Sequence, residues 1–128
     1  MVSSLAEALR PSTCSDRVAS IVQASLDVKG KDLTVLDVSA ISDVADYFII
    51  VSARSDRQVQ GICNRILEDL GKQGVSPLSV EGFNKAHWVL LDFEDIVVHI
   101  FYEPVREIYR LESLWHNAAR VDLPERSN

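Results

Sequence analysis

Two short stretches of the chain hold side chains whose types and spacing could do chemistry. Asp92 and Glu94 form a D-x-E pair. Carboxylates two apart on a strand share a face, as they do where paired acids hold magnesium for nucleotidyl transfer. That chemistry also needs a phosphate cradle, and neither a P-loop nor a G-x-G-x-x-G loop occurs in the chain. Glu94 and Asp95 therefore read more simply as turn residues. His99 in "VVHIF" stands where a hydrolase places a base, with Cys63 or Ser55 as its nucleophile. Cys63 falls on the apolar stripe of a helical pattern, however, and Ser55 has a complete role as a helix cap. A histidine in or beside the core is the plainer reading of His99. His87 and His116 lack ligand-like neighbours, and a metal site needs four converging groups. Neither a catalytic centre, a metal site nor a cofactor is expected. Arg54 and Arg57 at a helix start could meet a phosphate, but two arginines flanking Asp56 read more simply as a solvated cap.

Trp88 and Asp92 fit a plain core less well. Alternation puts Trp88, Leu90 and Asp92 on one side of a strand, and an acid seldom sits inside a core unpaired. A large aromatic beside an acid suits a protein partner, because tryptophan anchors interfaces and carboxylates select basic counterparts.

Charge supports that reading. The formal net charge of the 128 residues is −6, which argues against affinity obtained by neutralising phosphates. From Glu81 to Glu103, five acids stand against one base, so a basic partner is implied. With 47% hydrophobic residues the chain can bury one core without disulfides. Cys14 and Cys63 lack metal-ligand spacing and read as thiols in a reducing compartment. No window reaches eighteen uncharged apolar residues, and the first residues have neither signal nor transit composition. A cytoplasmic protein without membrane contact is expected.

The elements that must position these residues follow from periodicity. Residues 1–12, ending near Pro11, read as an N-terminal arm, 13–118 as the domain and 119–128 as a polar tail. Val18, Ile21, Val22 and Leu26 repeat at helical spacing from a cap at Thr13 or Ser15 to Gly30. "DLTVLDVS" is a partly alternating strand, and "DYFIIVSA" a denser one buried on both faces. Ser55 and Gln58 form a capping-box pair. Val59, Ile62, Cys63, Ile66, Leu67 and Leu70 then hold a helical stripe from about Asp56 to Lys72. Strands are expected over Leu78–Glu81, Trp88–Phe93 and Ile96–Tyr102, the last two forming a hairpin around Glu94 and Asp95. Pro104 suits the first turn of a final helix bearing Ile108, Leu111 and Trp115. The order α-β-β-α-β-β-β-α predicts an α/β (α+β) fold, a mixed sheet of about five strands flanked by helices.

Taken together, "DVADYFIIVSARSDRQVQGI", "VEG" with Trp88 six residues later, "LLDFEDIVVHIF" and "REIYRLESLW" resemble, in order and spacing, the ribosomal silencing factor family, also called RsfS or Iojap. The resemblance spans about residues 16 to 117. It implies a nucleotidyltransferase-like core without the catalytic motif, acting as a non-enzymatic translation repressor. Such a factor binds the large ribosomal subunit through ribosomal protein L-fourteen and sterically prevents the small subunit from joining. A minor ribosomal RNA contact and a homodimer are further expectations. The alternatives are a nucleotidyltransferase-like enzyme using Asp92 and Glu94, or a large-subunit assembly factor.

Carried over by position, the family's characteristic residues fall on Asp46, Tyr47, Ser55, Arg57, Glu81, Gly82, Trp88, Asp92, His99, Phe101, Arg106, Tyr109, Leu111, Glu112 and Trp115. Expected partner contacts are Trp88, Asp92 and His99 first, then Glu81, Asp46, Tyr47, Arg57 and Phe101. Many relatives carry glycine where this chain has Glu94, and an acid where it has Arg110.

Overall fold

The computed structural model describes residues 14–109 and 119–121. The expected arm, Leu111, Glu112, Trp115 and the last seven residues lie outside them. The first apolar stripe becomes α1 (Cys14–Asp27), with Ile21 and Ala24 wholly buried. Its exit differs from expectation. The left-handed residue is Lys29 (φ 63°), not Gly30. Gly30 is needed because a Cβ there would lie 2.6 Å from Val51 Cγ2 and 2.8 Å from the Ser25 carbonyl oxygen.

The second stripe forms α2 (Asp56–Gly71), with Val59, Ile62, Cys63, Ile66 and Leu70 buried and Lys72 as its C-cap. Ser55 Oγ accepts from the Gln58 backbone N–H at 3.1 Å, as the capping pair predicts. The return bond is shifted by one residue, since Gln58 Oε1 accepts from Arg54 N–H at 2.7 Å. Gln58 Nε2 also donates to the carbonyls of Val28 and Lys29, each at 3.0 Å. One side chain thereby joins the start of α2 to the end of α1. Arg65 adds a second tie, reaching Asp27 and Asp69, each at 3.1 Å.

The strands are β1 (Lys31–Asp37), β2 (Tyr47–Ala53), β3 (Ser79–Glu81), β4 (Trp88–Asp92), β5 (Ile96–Tyr102) and β6 (Ala119–Arg120); α3 (Glu103–Tyr109) follows β5 directly. Five were expected. The sixth pairs antiparallel with β1, Leu36 facing Arg120 and Asp37 facing Ala119. Residues 119–120 are therefore a sheet edge rather than the start of the tail. Two residues carry no periodicity, so this pairing is not visible in the chain itself.

The sheet order is β3-β4-β5-β2-β1-β6. β2 and β5 pair in parallel and the other pairs are antiparallel. Centrality explains why β2 and β5 are apolar along their length. Their odd and even residues enter different cores. Val51, Ile49, Val98, Ile100, Val89 and Leu91 pack under α1 and α2. Leu36, Ile50, Val97 and Phe101 form a smaller cluster on the opposite face, with Phe48, Trp88, Leu90 and Val105 against it.

Among the described residues, the helix on that second face is the short α3. Arg106, 9% exposed, pins it by donating to the Asp32 carbonyl at 2.6 Å, Ser52 Oγ at 2.9 Å and Thr34 Oγ1 at 3.2 Å. Lys31 and Glu103 pair at 3.0 Å nearby. Among the described residues, neither long helix covers this side of β4 and β5.

Candidate protein-interaction face

Cross-strand register sets the composition of this surface. Trp88 faces Phe101, Leu90 faces His99 and Asp92 faces Val97. On the outer side Glu81 faces Leu90 and Ser79 faces Asp92. Trp88, Leu90 and Asp92 are half-buried and Glu81 is exposed.

Beneath the surface the aromatics interlock. Trp88 and Phe101 have ring centroids 4.9 Å apart, and Phe48 meets His99 edge-on at 5.3 Å. The Trp88 indole Nε1 donates to His99 Nδ1 at 3.0 Å. An accepting Nδ1 places the neutral imidazole's proton on Nε2. Burial pushes the His99 pKa down to about 4, so this neutral form holds at physiological pH. The Nε2 is buried and has no hydrogen-bond partner among the described residues.

The backbone of Trp88 is held as closely as its ring. Gly82 has φ 81°, and a Cβ there would drive into the Trp88 carbonyl oxygen. Ala86, also left-handed at φ 56°, donates its N–H to the Gly82 carbonyl at 3.0 Å. The Phe83 carbonyl is held by Gln60 Nε2 at 2.9 Å, and Tyr102 N–H donates to the His87 carbonyl at 2.9 Å. The "VEG" motif followed by Trp88 is therefore a turn that fixes where Trp88 enters the sheet.

At the other end of β4, Asp92 Oδ1 accepts the Glu94 N–H at 2.8 Å. Glu94 sits at φ 79°, a conformation easy for glycine and strained for other residues. Glycine would adopt this conformation without that strain. The same hydrogen bond answers how Asp92 tolerates its place: the carboxylate caps its own hairpin turn while staying half-exposed.

The expected contact residues do not all reach the surface. Trp88, Leu90, Asp92 and Glu81 share one face, with His99 and Phe101 under them. His99 is 5% exposed and Phe101 0%, so neither presents a surface of its own, and the expectation of direct contact by these two is corrected. Alternation identified the right face but not the depth, because depth depends on the neighbouring strands. Tyr47 points to the helix side, packed on the main core, where burial chiefly, and then Asp37, raises its hydroxyl pKa. Asp46 is exposed before β2, and Arg57 is exposed in the first turn of α2, at the opposite end of that strand. Phe48, Gly82 and the buried Arg106 are contributors whose roles the sequence reading did not supply; φ and packing across strands reveal them.

The enzymatic alternatives lose their geometry. Cys63 is wholly buried among the helix-side residues, and burial raises its thiol pKa to about 11. His99 lies across the sheet from it, so the sheet separates nucleophile from base. Ser55 caps α2, and Asp92 is committed to the turn. One grouping was not foreseen: ligand atoms of Cys14, Asp46 and Asp95 lie within 4.8 Å of one another. Asp95 is already paired with Arg17. Burial and then the Asp95 charge raise the Cys14 thiol to about 11, which disfavours the thiolate a metal would need.

A family model described as "Ribosomal silencing factor during starvation" matches residues 11–128. The chain belongs to the ribosomal silencing factor family. It is 43% identical over 97 residues to ribosomal silencing factor RsfS of Bacillus subtilis, covering 76% of this chain and 82% of that one. It is 33% identical over 111 residues to the chloroplastic protein Iojap of Zea mays, covering 87% of this chain and 48% of the maize protein. A crystal structure of a Chromobacterium violaceum protein superposes with TM-score 0.80 at 31% identity, covering 89% and 92% of the two chains. A Bacillus halodurans structure gives 0.77 at 34% identity, covering 85% and 99%. Membership places the chain among ribosome-associated regulators of translation. Among the described residues, no helix is long and apolar enough to cross a membrane.

Proposed function

We propose that the protein binds the large ribosomal subunit through ribosomal protein L-fourteen, using the open sheet face, and thereby blocks joining of the small subunit. One observation carries the assignment of the face: a half-buried tryptophan, hydrogen-bonded to His99, on the side of the sheet away from α1 and α2, with Asp92 and Glu81 beside it on the same side of the sheet. Aromatic anchors surrounded by polar residues are the usual centre of an interface, and carboxylates there favour a basic partner. The family's name supports the ribosome as the target. No catalytic step is needed, because two partners that require overlapping surfaces bind exclusively of each other. His99 and Phe101 support the face from below.

The test is co-sedimentation with purified subunits alongside a subunit-joining assay. Trp88→Ala should cost about 2 to 4 kcal/mol of binding, roughly thirty- to a thousandfold in affinity. Because the ring is half-buried and hydrogen-bonded, about 1 to 2 kcal/mol of folding stability should go with it. Asp92→Asn should weaken association less and flatten its salt dependence. A folded Trp88→Ala protein that still blocks joining would overturn the assignment of this face. Binding to the small subunit alone would overturn the function.

A further inference from the structure

The choice of histidine at position 99 remains to be explained. Its neighbours along β5 on that face, Val97 and Phe101, are apolar, and an apolar residue would fill the same place without a polar atom. The structure instead buries an imidazole to 5% exposure and leaves its Nε2 without a partner among the described residues. A buried donor in that condition destabilises the fold. The other nitrogen, Nδ1, is the acceptor for Trp88 Nε1 at 3.0 Å.

We propose that His99 is a positioning residue: its Nδ1 acceptor sets the orientation of the Trp88 indole before a partner arrives, at the expense of fold stability. This rests on the reading of the sheet face as the docking surface. Loss of that bond removes one restraint on the side-chain rotamer of Trp88. Each rotamer that cannot dock lowers apparent affinity by the fraction of time it occupies. The bond works with the Gly82 turn, which fixes the Trp88 backbone, and with Phe101, which stacks beneath the ring. Together they leave the indole one favoured placement. Burial keeps His99 neutral down to about pH 4, so the acceptor is present wherever ribosomes work.

The signature is a separation of stability from binding. His99→Leu removes both the acceptor and the orphan donor. It should leave the melting temperature unchanged or raised while weakening large-subunit binding by about three- to tenfold, the equivalent of one neutral hydrogen bond. His99→Asn, whose side-chain oxygen sits near the lost Nδ1, should restore part of that affinity. In the unmodified protein, a trans-hydrogen-bond coupling between 15N of Trp88 Nε1 and 15N of His99 Nδ1 reads the contact directly and needs no variant. Its absence overturns the proposal. So does a folded His99→Leu protein that binds as well as the original while Trp88→Ala does not; in that case the docking face stands and only the positioning role falls. If Trp88→Ala itself binds normally, the face is wrong and the positioning proposal falls with it.

Discussion

The two faces of the sheet are built to different rules. Under α1 and α2, branched aliphatic side chains from four strands meet the stripes of both helices, and that core is almost purely apolar. On the other face a smaller cluster is topped by Trp88, Phe48 and His99, whose rings pack together and where Trp88 hydrogen-bonds His99. The helix-side core is satisfied by any well-packed apolar set of the right volume. Under the proposed docking role, the other side needs particular residues at particular depths, because there one ring must be presented in one orientation. The contrast shows where this small chain concentrates its stability and where it gives some up.

The largest expected effect tests the first half of that contrast. Ile66 on α2 is wholly buried, so Ile66→Ala should cost about 2 to 5 kcal/mol of folding stability in chemical denaturation. Large-subunit binding by the fraction still folded should be unchanged. A smaller cost than for Trp88→Ala would mean that the open face, not the helix side, carries the fold.

The second effect concerns acid. The folded pKa of His99, about 4, lies below its ordinary value near 6.5. The unfolded chain therefore takes up a proton between those limits that the folded chain refuses, and stability falls as pH drops through that window. The full contribution is present above about pH 6.5. Roughly 2 to 3 kcal/mol should be gone near pH 4.5, from the shift of about 2.5 units at 1.36 kcal/mol each. Among the described residues, Asp92 on β4, Glu81 on β3 and Arg106 on α3 are charged groups on this side of the sheet. The difference between the original protein and His99→Leu in urea melts at pH 7 and 4.5 isolates the histidine. Equal slopes in the two proteins would show that His99 titrates normally.

The smallest effect is a gain. Glu94 occupies a left-handed position at φ 79°, so Glu94→Gly should raise stability by about 0.5 to 1 kcal/mol, read as a rise of a few degrees in Tm. The Asp92 side chain can still accept the backbone N–H of residue 94, so binding through the face should be retained. A loss of stability would mean that the glutamate side chain has a contact role in the turn.

Local signals were read well. The stripe from Val59 to Leu70, opened by Ser55 and closed by Gly71, placed α2 to within a residue, because a helix is defined by contacts three and four positions apart. The strands β2, β4 and β5 were legible from alternation and β-branched content for the same reason. Alternation along the strand put Trp88 and Asp92 on one side, and β4 places them so. Depth was not legible: His99 and Phe101 were expected at the surface and lie beneath it. Nor was the short strand at Ala119–Arg120, whose only signal is the partner strand it meets.

The sequence by itself determined the two amphipathic helices, the strand order along the chain, the acid-rich composition around Trp88, and the family. These depend on neighbours within about one turn or on motifs in fixed order. Only the tertiary structure decided that α1 and α2 cover the same face and leave the other open. It also decided that Leu90 pairs with His99, so that Trp88 can reach His99 Nδ1. Such facts arise from pairing between segments far apart in the chain, where a shift of register by one residue would turn every side chain to the opposite face.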